Sequence, residues 1–285
     1  MKISDACNHK KSLSFEIFPP KKDSELKNID ATLDVLCELQ PDFISVTYGA
    51  GGSRSKRTVE LASFIQNSLH IPAVAHMTCV GSSKEDILTV TDDMKQAGLS
   101  HVLALRGDRP TWMDDAQFEN RAFAHASDLT RFLKEHTDLE VAGACYPEKH
   151  FEAANPQSDL QYLKEKVDAG ADYIVTQMFF DNSKYFDFVE RCRKAGITVP
   201  IIPGIKPIST PKHLEILPRT FSVSLPEELV KAVRACGEDT QAAREVGIEW
   251  AIHQAKELKA AGVPIIHFYT MGRTDNIRKI ARNVF

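Results

Sequence analysis

The stretch QAGLSHVLALRGD, residues 96–108, contains the unit that decides the fold. It joins an Ala-Gly pair, a mostly apolar run of strand length and a charged end. The same pair precedes three other apolar runs, at residues 169–170, 195–196 and 261–262. Because glycine commonly ends a helix and turns the chain into the next element, we expect a helix before each pair and a strand after it. The sequence therefore predicts a repeated helix–strand unit.

Runs of strand length, dense in Val, Ile and Phe, divide the whole chain, as expected for buried parallel strands. They lie at residues 12–18, 43–48, 73–79, 101–106, 141–146, 173–178, 201–205 and 265–270. Amphipathic helical segments separate them, and Ser82 with Glu85 predicts a capping box at the start of one helix. The longer segment 207–262 is expected to hold an extra helix around 225–235 and a long one around 239–261.

Eight strands that each precede a helix favour a closed α/β architecture, a (β/α)8 TIM barrel with extra helices, over an open sheet. A doubly wound sheet would usually carry GxGxxG after its first strand, but this first strand runs into PPKK at 19–22. The cluster GAGGS at 49–53 has a different spacing, and both an anion-binding turn and a flexible loop stay open for it. Residues 1–285 are predicted to form a single catalytic domain.

The bulk composition argues against several classes of protein. Lys and Arg total 35 against 39 Asp and Glu, so the net charge of −4 gives no basic excess for nucleic acid. No run approaches the ~18 apolar residues of a membrane span, and the polar N-terminal segment lacks the apolar core of a signal peptide. The six cysteines are scattered without a CxxC, which disfavours a zinc site or a disulfide framework. We expect a cytoplasmic protein without a metal, a nucleic-acid partner or membrane attachment.

Polar side chains stand at the predicted carboxyl ends of the strands, where barrel enzymes place their active sites. They are Glu16, Thr47, Tyr48, His76, Thr78, Arg106, Asp108, Tyr146, Gln177, Lys206, Tyr269 and Arg273. Since a polar group in an apolar strand is costly unless it is paired or used, their convergence on one mouth indicates an enzyme. Other roles stay open: His76 as a core histidine, Gln177 as a tie between strands, and Lys206 as a Schiff-base or phosphate-facing lysine.

Segments at successive strand ends resemble the signature segments of the methylenetetrahydrofolate reductase family, in order and over nearly the whole chain. They are SFEIFPPK (14–21), SVTYGAGGS (45–53), HMTC (76–79), LALRGD (103–108), CYPEKH (145–150), TQMFFD (176–181), PGIKP (203–207) and HFYTMGR (267–273). The resemblance, closest in length to the bacterial single-domain form, implies bound FAD that passes hydride from NADH or NADPH to 5,10-methylenetetrahydrofolate in a ping-pong sequence. The implied product, 5-methyltetrahydrofolate, supplies methyl groups for methionine synthesis. Relatives form dimers or tetramers, so a homo-oligomer is expected.

The resemblance also implies roles for individual residues. Glu16 matches the catalytic glutamate, Asp108 an aspartate near the flavin ring and the pterin, and Thr47 a residue that contacts the pyridine nucleotide. Positions that line the FAD are matched by Tyr48, Ala50, His76, Arg106, Gly107, Asp108, Ala126, Tyr146, His150, Asp159 and Lys166. Positions that touch folate are matched by Gln177, His213 and Arg273. Two folate positions depart from the pattern, since Leu217 replaces a stacking phenylalanine and His213 replaces a glutamine.

The predicted helix 158–169 carries two further departures. Tyr162 and Glu165 replace an asparagine and an arginine found in a relative. Helical spacing places Asp159, Tyr162 and Lys166 on one face, because side chains three and four residues apart are neighbours on a helix. The same spacing predicts that Glu165 points elsewhere, so its negative charge would matter little to the phosphates of FAD.

The chemistry of the implied reaction requires a proton donor. The methylene bridge of the folate must open to a cationic iminium before it can accept hydride, and opening needs an acid. A carboxyl serves near neutral pH only if burial raises its pKa, and SFEIFPP gives Glu16 an apolar setting. An ionised Asp108 at the same opening would stabilise the developing positive charge. Rival hypotheses are a flavin-free pterin-binding transferase, a Schiff-base lyase that uses Lys206, and a non-catalytic scaffold.

Overall fold

In a computed structural model, the chain forms a barrel of parallel strands surrounded by helices. The structure describes residues 2–6, 13–19, 26–48, 53–272 and 274–285. The strands in these ranges are β1 Leu13–Ile17, β2 Phe43–Val46, β3 Ala73–Thr78, β4 His101–Leu105, β5 Glu140–Cys145, β6 Tyr173–Thr176, β7 Ile201–Ile202, β8 Gly204–Ile205 and β9 Ile266–Tyr269. The helices are α1 Ile3–Ala6, α2 Leu26–Glu38, α3 Ser53–Asn67, α4 Lys84–Gln96, α5 Asp115–Glu119, α6 Ala126–His136, α7 Pro156–Asp168, α8 Asn182–Lys194, α9 His213–Phe221, α10 Glu227–Ala235, α11 Thr240–Ala260 and α12 Thr274–Val284.

The seventh predicted strand closes the barrel in two pieces. Pro203 separates β7, which pairs with β6, from β8, which pairs with β9. Proline has no N–H to donate, and its carbonyl accepts a hydrogen bond from the N–H of His267 at 2.9 Å. A Cβ on the next residue, Gly204, would lie 2.4 Å from the carbonyl oxygen of Thr176. Only glycine fits where the segment passes from one neighbouring strand to the other.

Alternation along the strands divides the apolar residues between two cores. Phe15, Val46 and Ile174 belong to a large cluster between the strands and the surrounding helices. Phe43 and Tyr173 belong to a smaller cluster of residues at the alternate strand positions, which fills the barrel. The strands read as almost continuous apolar runs because both of their faces are buried.

The short helix α1 closes the amino-terminal end of the barrel by binding a buried carboxylate, Glu140 on β5. The backbone N–H groups of Ile3 and Ser4 donate to Glu140 at 2.7 and 2.8 Å. The Ser4 hydroxyl donates at 2.5 Å, and Nδ1 of His101 lies 2.8 Å from Glu140 Oε2. Burial alone would raise the pKa of Glu140, but the hydrogen bonds from His101, Ser4 and Ile3 lower it to about 2.

The predicted fold is confirmed, with one local correction. Each predicted strand is present, and the extra helices appear as α10 and α11. The Ala-Gly pairs end α4, α7, α8 and α11, with every glycine at positive φ. The capping box of α4 is Ser83 with Asp86, one residue later than predicted, because the run SSKED at 82–86 offers the same spacing in two registers. No helix in the described ranges is long and apolar enough to cross a membrane.

Candidate active site

Glu16 on β1 is a buried carboxyl at the carboxyl end of the barrel. Its side chain is 12% exposed, and its Oε2 lies 3.5 Å from Nε2 of His76 on β3. Burial raises the pKa of Glu16 to about 8 and lowers the pKa of His76 to about 3. Both groups are therefore uncharged at neutral pH, and Glu16 holds a proton that it can donate. This is the protonation state predicted from the apolar neighbours of Glu16.

A small cavity of about 50 Å³ lies inside the barrel beside Glu16. Gln177 and Tyr269 line it at the carboxyl ends of β6 and β9, and His267 lines it from the same face of β9. The Tyr269 hydroxyl donates to the carbonyl oxygen of Thr176 at 2.6 Å. Burial is the main cause that raises the pKa of Tyr269, and the negative charge of an ionised Glu16 is the second. Gln177, a predicted folate contact, thus lies in the same cavity as the predicted acid.

Sequence reasoning missed His267 and its partner Ser14. Nδ1 of His267 lies 2.8 Å from the Ser14 hydroxyl oxygen, and its ring stacks on Phe43. Burial lowers the pKa of His267 to about 3, with a further contribution from His76. Alternation along β1 could have identified Ser14, because a residue two positions from Glu16 lies on the same face of the strand.

A large groove of about 1350 Å³ runs beside the barrel mouth along the loops after β3, β4 and β5. The predicted flavin-binding residues that line it are Tyr48, Arg106, Gly107, Asp108, Ala126, Tyr146, His150, Asp159 and Lys166. Tyr146 also lines the cavity that contains Glu16, so the groove and the cavity adjoin. Asp108 is exposed in the groove, at the same end of the barrel as Glu16. The two predicted catalytic carboxyls therefore lie in adjoining cavities.

The cations of the groove are held by partners. Arg106 makes two hydrogen bonds with the Glu152 carboxylate, at 2.5 and 2.9 Å, and they raise the pKa of Arg106. Lys166 donates to the carbonyl oxygen of Ala144 at 2.5 Å, and burial lowers its pKa. A Cβ on Gly143 would lie 2.6 Å from Cδ of Lys166, so this glycine leaves room for the lysine stem.

Helices α6 and α7 form the outer wall of the groove. Ala126 and Ser127 lie in the first turn of α6, where backbone N–H groups have no acceptor within the helix. On α7, the carboxylate of Asp159 accepts a hydrogen bond from the N–H of His150 at 3.0 Å. Glu165 lines the same groove, so the prediction that it points elsewhere is wrong. The groove therefore contacts more of α7 than the helical face that carries Asp159, Tyr162 and Lys166.

Other predicted residues lie outside the groove and the cavity. Thr47, half-buried, accepts a hydrogen bond from Thr58 through its carbonyl oxygen. His213 on α9 accepts one at Nδ1 from the N–H of Ser209 at 3.2 Å. Leu217, 2% exposed, packs in a cluster with residues of α10 and α11, and buried Lys206 lines neither cavity. Ala50 and Arg273, together with most of GAGGS, lie outside the described residues.

Comparisons with known proteins identify the same family as the sequence motifs, over nearly the whole chain. The family model described as methylenetetrahydrofolate reductase matches residues 2–284. A protein of Escherichia coli named 5,10-methylenetetrahydrofolate reductase is 36% identical over 264 residues, which are 93% of this chain and 87% of that protein. A protein of Arabidopsis thaliana named methylenetetrahydrofolate reductase (NADH) 1 is 38% identical over 273 residues, 91% of this chain but 46% of that longer protein.

A solved structure supports the fold independently. A Clostridium thermocellum protein, described as binding two copies of 5-methyl-5,6,7,8-tetrahydrofolic acid, superposes with a TM-score of 0.66. The superposition covers 98% of this chain and 96% of that one, at 15% sequence identity. At that identity the likeness concerns the barrel architecture alone.

Proposed function

This chain belongs to the methylenetetrahydrofolate reductase family, and from that premise we propose that it reduces 5,10-methylenetetrahydrofolate to 5-methyltetrahydrofolate. The proposed reductant is NADH or NADPH, with FAD as the bound hydride carrier. One observation carries the proposal: a buried, protonated Glu16 adjoins a groove lined by most of the predicted flavin residues. The proposed reaction needs a proton donor, and Glu16 would supply it.

The groove suits FAD in size and chemistry. Its volume of about 1350 Å³ exceeds that of many small-molecule sites, which are roughly 300–1,000 Å³. Ala126 and Ser127 offer backbone N–H groups at the start of α6, an arrangement that binds a diphosphate. Arg106 and Lys166 line the same groove, but Glu152 balances the charge of Arg106 and the Lys166 ammonium donates to the carbonyl oxygen of Ala144. The two N–H groups would therefore hold the diphosphate side of the cofactor, while Tyr48 and Tyr146 lie toward the barrel mouth.

Bound FAD would supply the hydride chemistry, accepting hydride from the nicotinamide and delivering it to the one-carbon unit of folate. The protein supplies the proton. In the substrate the bond between the bridging carbon and N10 breaks, and the proton of Glu16 goes to N10. Hydride then adds to the bridging carbon to give the methyl group. Glu16 is left as a carboxylate and regains its proton from solvent before the next turnover.

Other residues would orient the folate and stabilise its charge. Asp108, exposed in the groove, offers a carboxylate toward the cationic iminium that forms when the bridge opens. Gln177 lies in the cavity with Glu16 and would hydrogen-bond the pterin ring. Neutral His76 allows Glu16 to stay protonated, because a charged imidazolium at 3.5 Å would lower the pKa of the carboxyl.

Absorbance spectroscopy tests the proposal directly. The purified chain, supplied with FAD, should show a flavin band that bleaches when NADH or NADPH is added without oxygen. Addition of 5,10-methylenetetrahydrofolate should then restore the band and form 5-methyltetrahydrofolate. A chain that takes up no FAD, or a bleached flavin that folate does not reoxidise, would overturn it. Folate binding without any flavin would instead favour a transferase, and borohydride trapping of a substrate on Lys206 a lyase.

A further inference from the structure

The outer wall of the groove carries an aromatic ledge formed by His125 and Tyr162. His125 precedes the first turn of α6, and Tyr162 lies on α7. Their ring centroids are 6.2 Å apart with planes inclined by 17°, and both residues line the groove. Tyr162 is 54% exposed, so much of its ring is open to a ligand in the groove. A planar ligand could cover this ring without rearrangement of the core.

The charges near the ledge indicate which part of a nucleotide it receives. Asp159 and Glu165 line the groove from the same helix as Tyr162, each three residues away from it. The one cation of this helix that lines the groove, Lys166, already donates to the carbonyl oxygen of Ala144. The two carboxylates therefore disfavour a phosphate beside the tyrosine, whereas an uncharged base meets no such repulsion. The N–H groups of Ala126 and Ser127, which the proposed function assigns to the diphosphate, follow His125 directly in the chain. A base on the ledge would therefore lie next to its own phosphates.

We propose that the aromatic ledge is the adenine-binding part of the groove, with the base stacked on Tyr162, an inference that rests on the proposed binding of FAD. Base–aromatic stacking is worth about 1–3 kcal/mol per base. The ledge would make the site select a dinucleotide flavin over FMN, which has no adenine.

Flavin binding to two matched variants tests the ledge without any need for turnover. The full-length chain, freed of co-purified flavin, is titrated with FAD and with FMN, and both dissociation constants are measured by flavin fluorescence. Tyr162→Ala should raise the Kd for FAD roughly tenfold, about 1.4 kcal/mol, and leave the Kd for FMN unchanged. Tyr162→Phe, which keeps the ring, should bind FAD within about twofold of the original chain. Phe64→Ala removes an exposed aromatic residue of α3 that lines neither cavity, and it should change neither constant.

The outcomes separate the ledge from the function on which it rests. If the unchanged chain binds neither FAD nor FMN, the proposed function itself fails, and the ledge with it. If the unchanged chain binds FAD but Tyr162→Ala has the same affinity for it, the ring does not contact the cofactor. If Tyr162→Ala weakens FAD and FMN equally, Tyr162 acts on the flavin end or on the fold, and the ledge is overturned.

Discussion

Two buried glutamates, one at each end of the barrel, have opposite protonation states. Glu16 at the carboxyl end has its pKa raised to about 8. Glu140 at the amino end is 4% exposed, yet its pKa is lowered to about 2. Burial acts on both carboxyls in the same direction, so it does not account for the difference. Glu140 is surrounded by N–H and O–H donors, whereas the pKa of Glu16 is set by burial alone.

The comparison shows how one scaffold gives two buried carboxyl groups opposite protonation states. A carboxylate that accepts several hydrogen bonds stays ionised and anchors α1 to the barrel. Among the described residues none donates a hydrogen bond to Glu16, so its carboxyl keeps its proton and is available as an acid in the proposed reaction. Hydrogen-bond donors around Glu140, and none from the described residues around Glu16, are sufficient to produce the two protonation states. Four predictions break or sharpen this comparison.

The largest expected effect is on chemistry. Glu16→Gln removes the transferable proton, so folate-dependent flavin reoxidation should fall by roughly 100-fold or more, while flavin reduction by NAD(P)H persists. In the unchanged chain the reoxidation rate should be constant below pH 8 and fall above it, because only the protonated carboxyl is active. Stopped-flow absorbance of the two half-reactions measures both. Equal loss of both half-reactions, or no loss of either, would show that Glu16 is not the acid.

Glu140→Gln should affect stability instead. The amide places an NH₂ group among N–H donors and removes the charge that they stabilise, so the free energy of unfolding should fall by roughly 3 kcal/mol. Urea unfolding followed by circular dichroism measures this, with Glu16→Gln as the matched control that loses no stability at pH 7. An unfolding midpoint equal to that of the original chain would mean that α1 is not anchored by Glu140.

The pH dependence of stability should follow both groups in opposite directions. The folded pKa of Glu140 is below its usual 4.5, so its stabilisation is present above pH 4.5 and lost as the pH falls toward 2. The folded pKa of Glu16 is above 4.5, so stability should decline by about 1.4 kcal/mol for each unit as the pH rises from 4.5 to 8. When the free energy of unfolding is measured across pH, Glu16→Gln should not show the decline between pH 4.5 and 8, and Glu140→Gln should not show the loss between pH 4.5 and 2. A variant that still shows the change assigned to its own glutamate contradicts that assignment.

The smallest expected effect comes from the removal of a single donor to Glu140. Ser4→Ala removes the hydroxyl that donates to Glu140 and leaves the backbone N–H in place. The free energy of unfolding should fall by about 1 kcal/mol. Ser68→Ala, at an exposed serine after α3, provides the control and should change nothing. Equal stability of Ser4→Ala and the original chain would leave the backbone groups and His101 as the effective donors.

Local pattern predicted elements well but left their registers open. The Ala-Gly pairs located the ends of four helices, because glycine tolerates the positive φ found at each of them. The capping box was displaced by one residue because Ser82 and Ser83 both have an acidic residue three positions later. Glu165 was misplaced for a related reason, since helical spacing defines a face but not the width of the groove that the face meets.

The sequence by itself determined the barrel, the family resemblance and the strand end on which Glu16 lies, because these depend on periodicity and residue order along the chain. Only the tertiary structure decided which of two buried glutamates keeps its proton. The donors to Glu140 come from α1 and β4, up to 137 residues away in the chain, and no local pattern predicts them. Protonation depends on the groups that folding brings around a carboxyl, and that arrangement exists only in three dimensions.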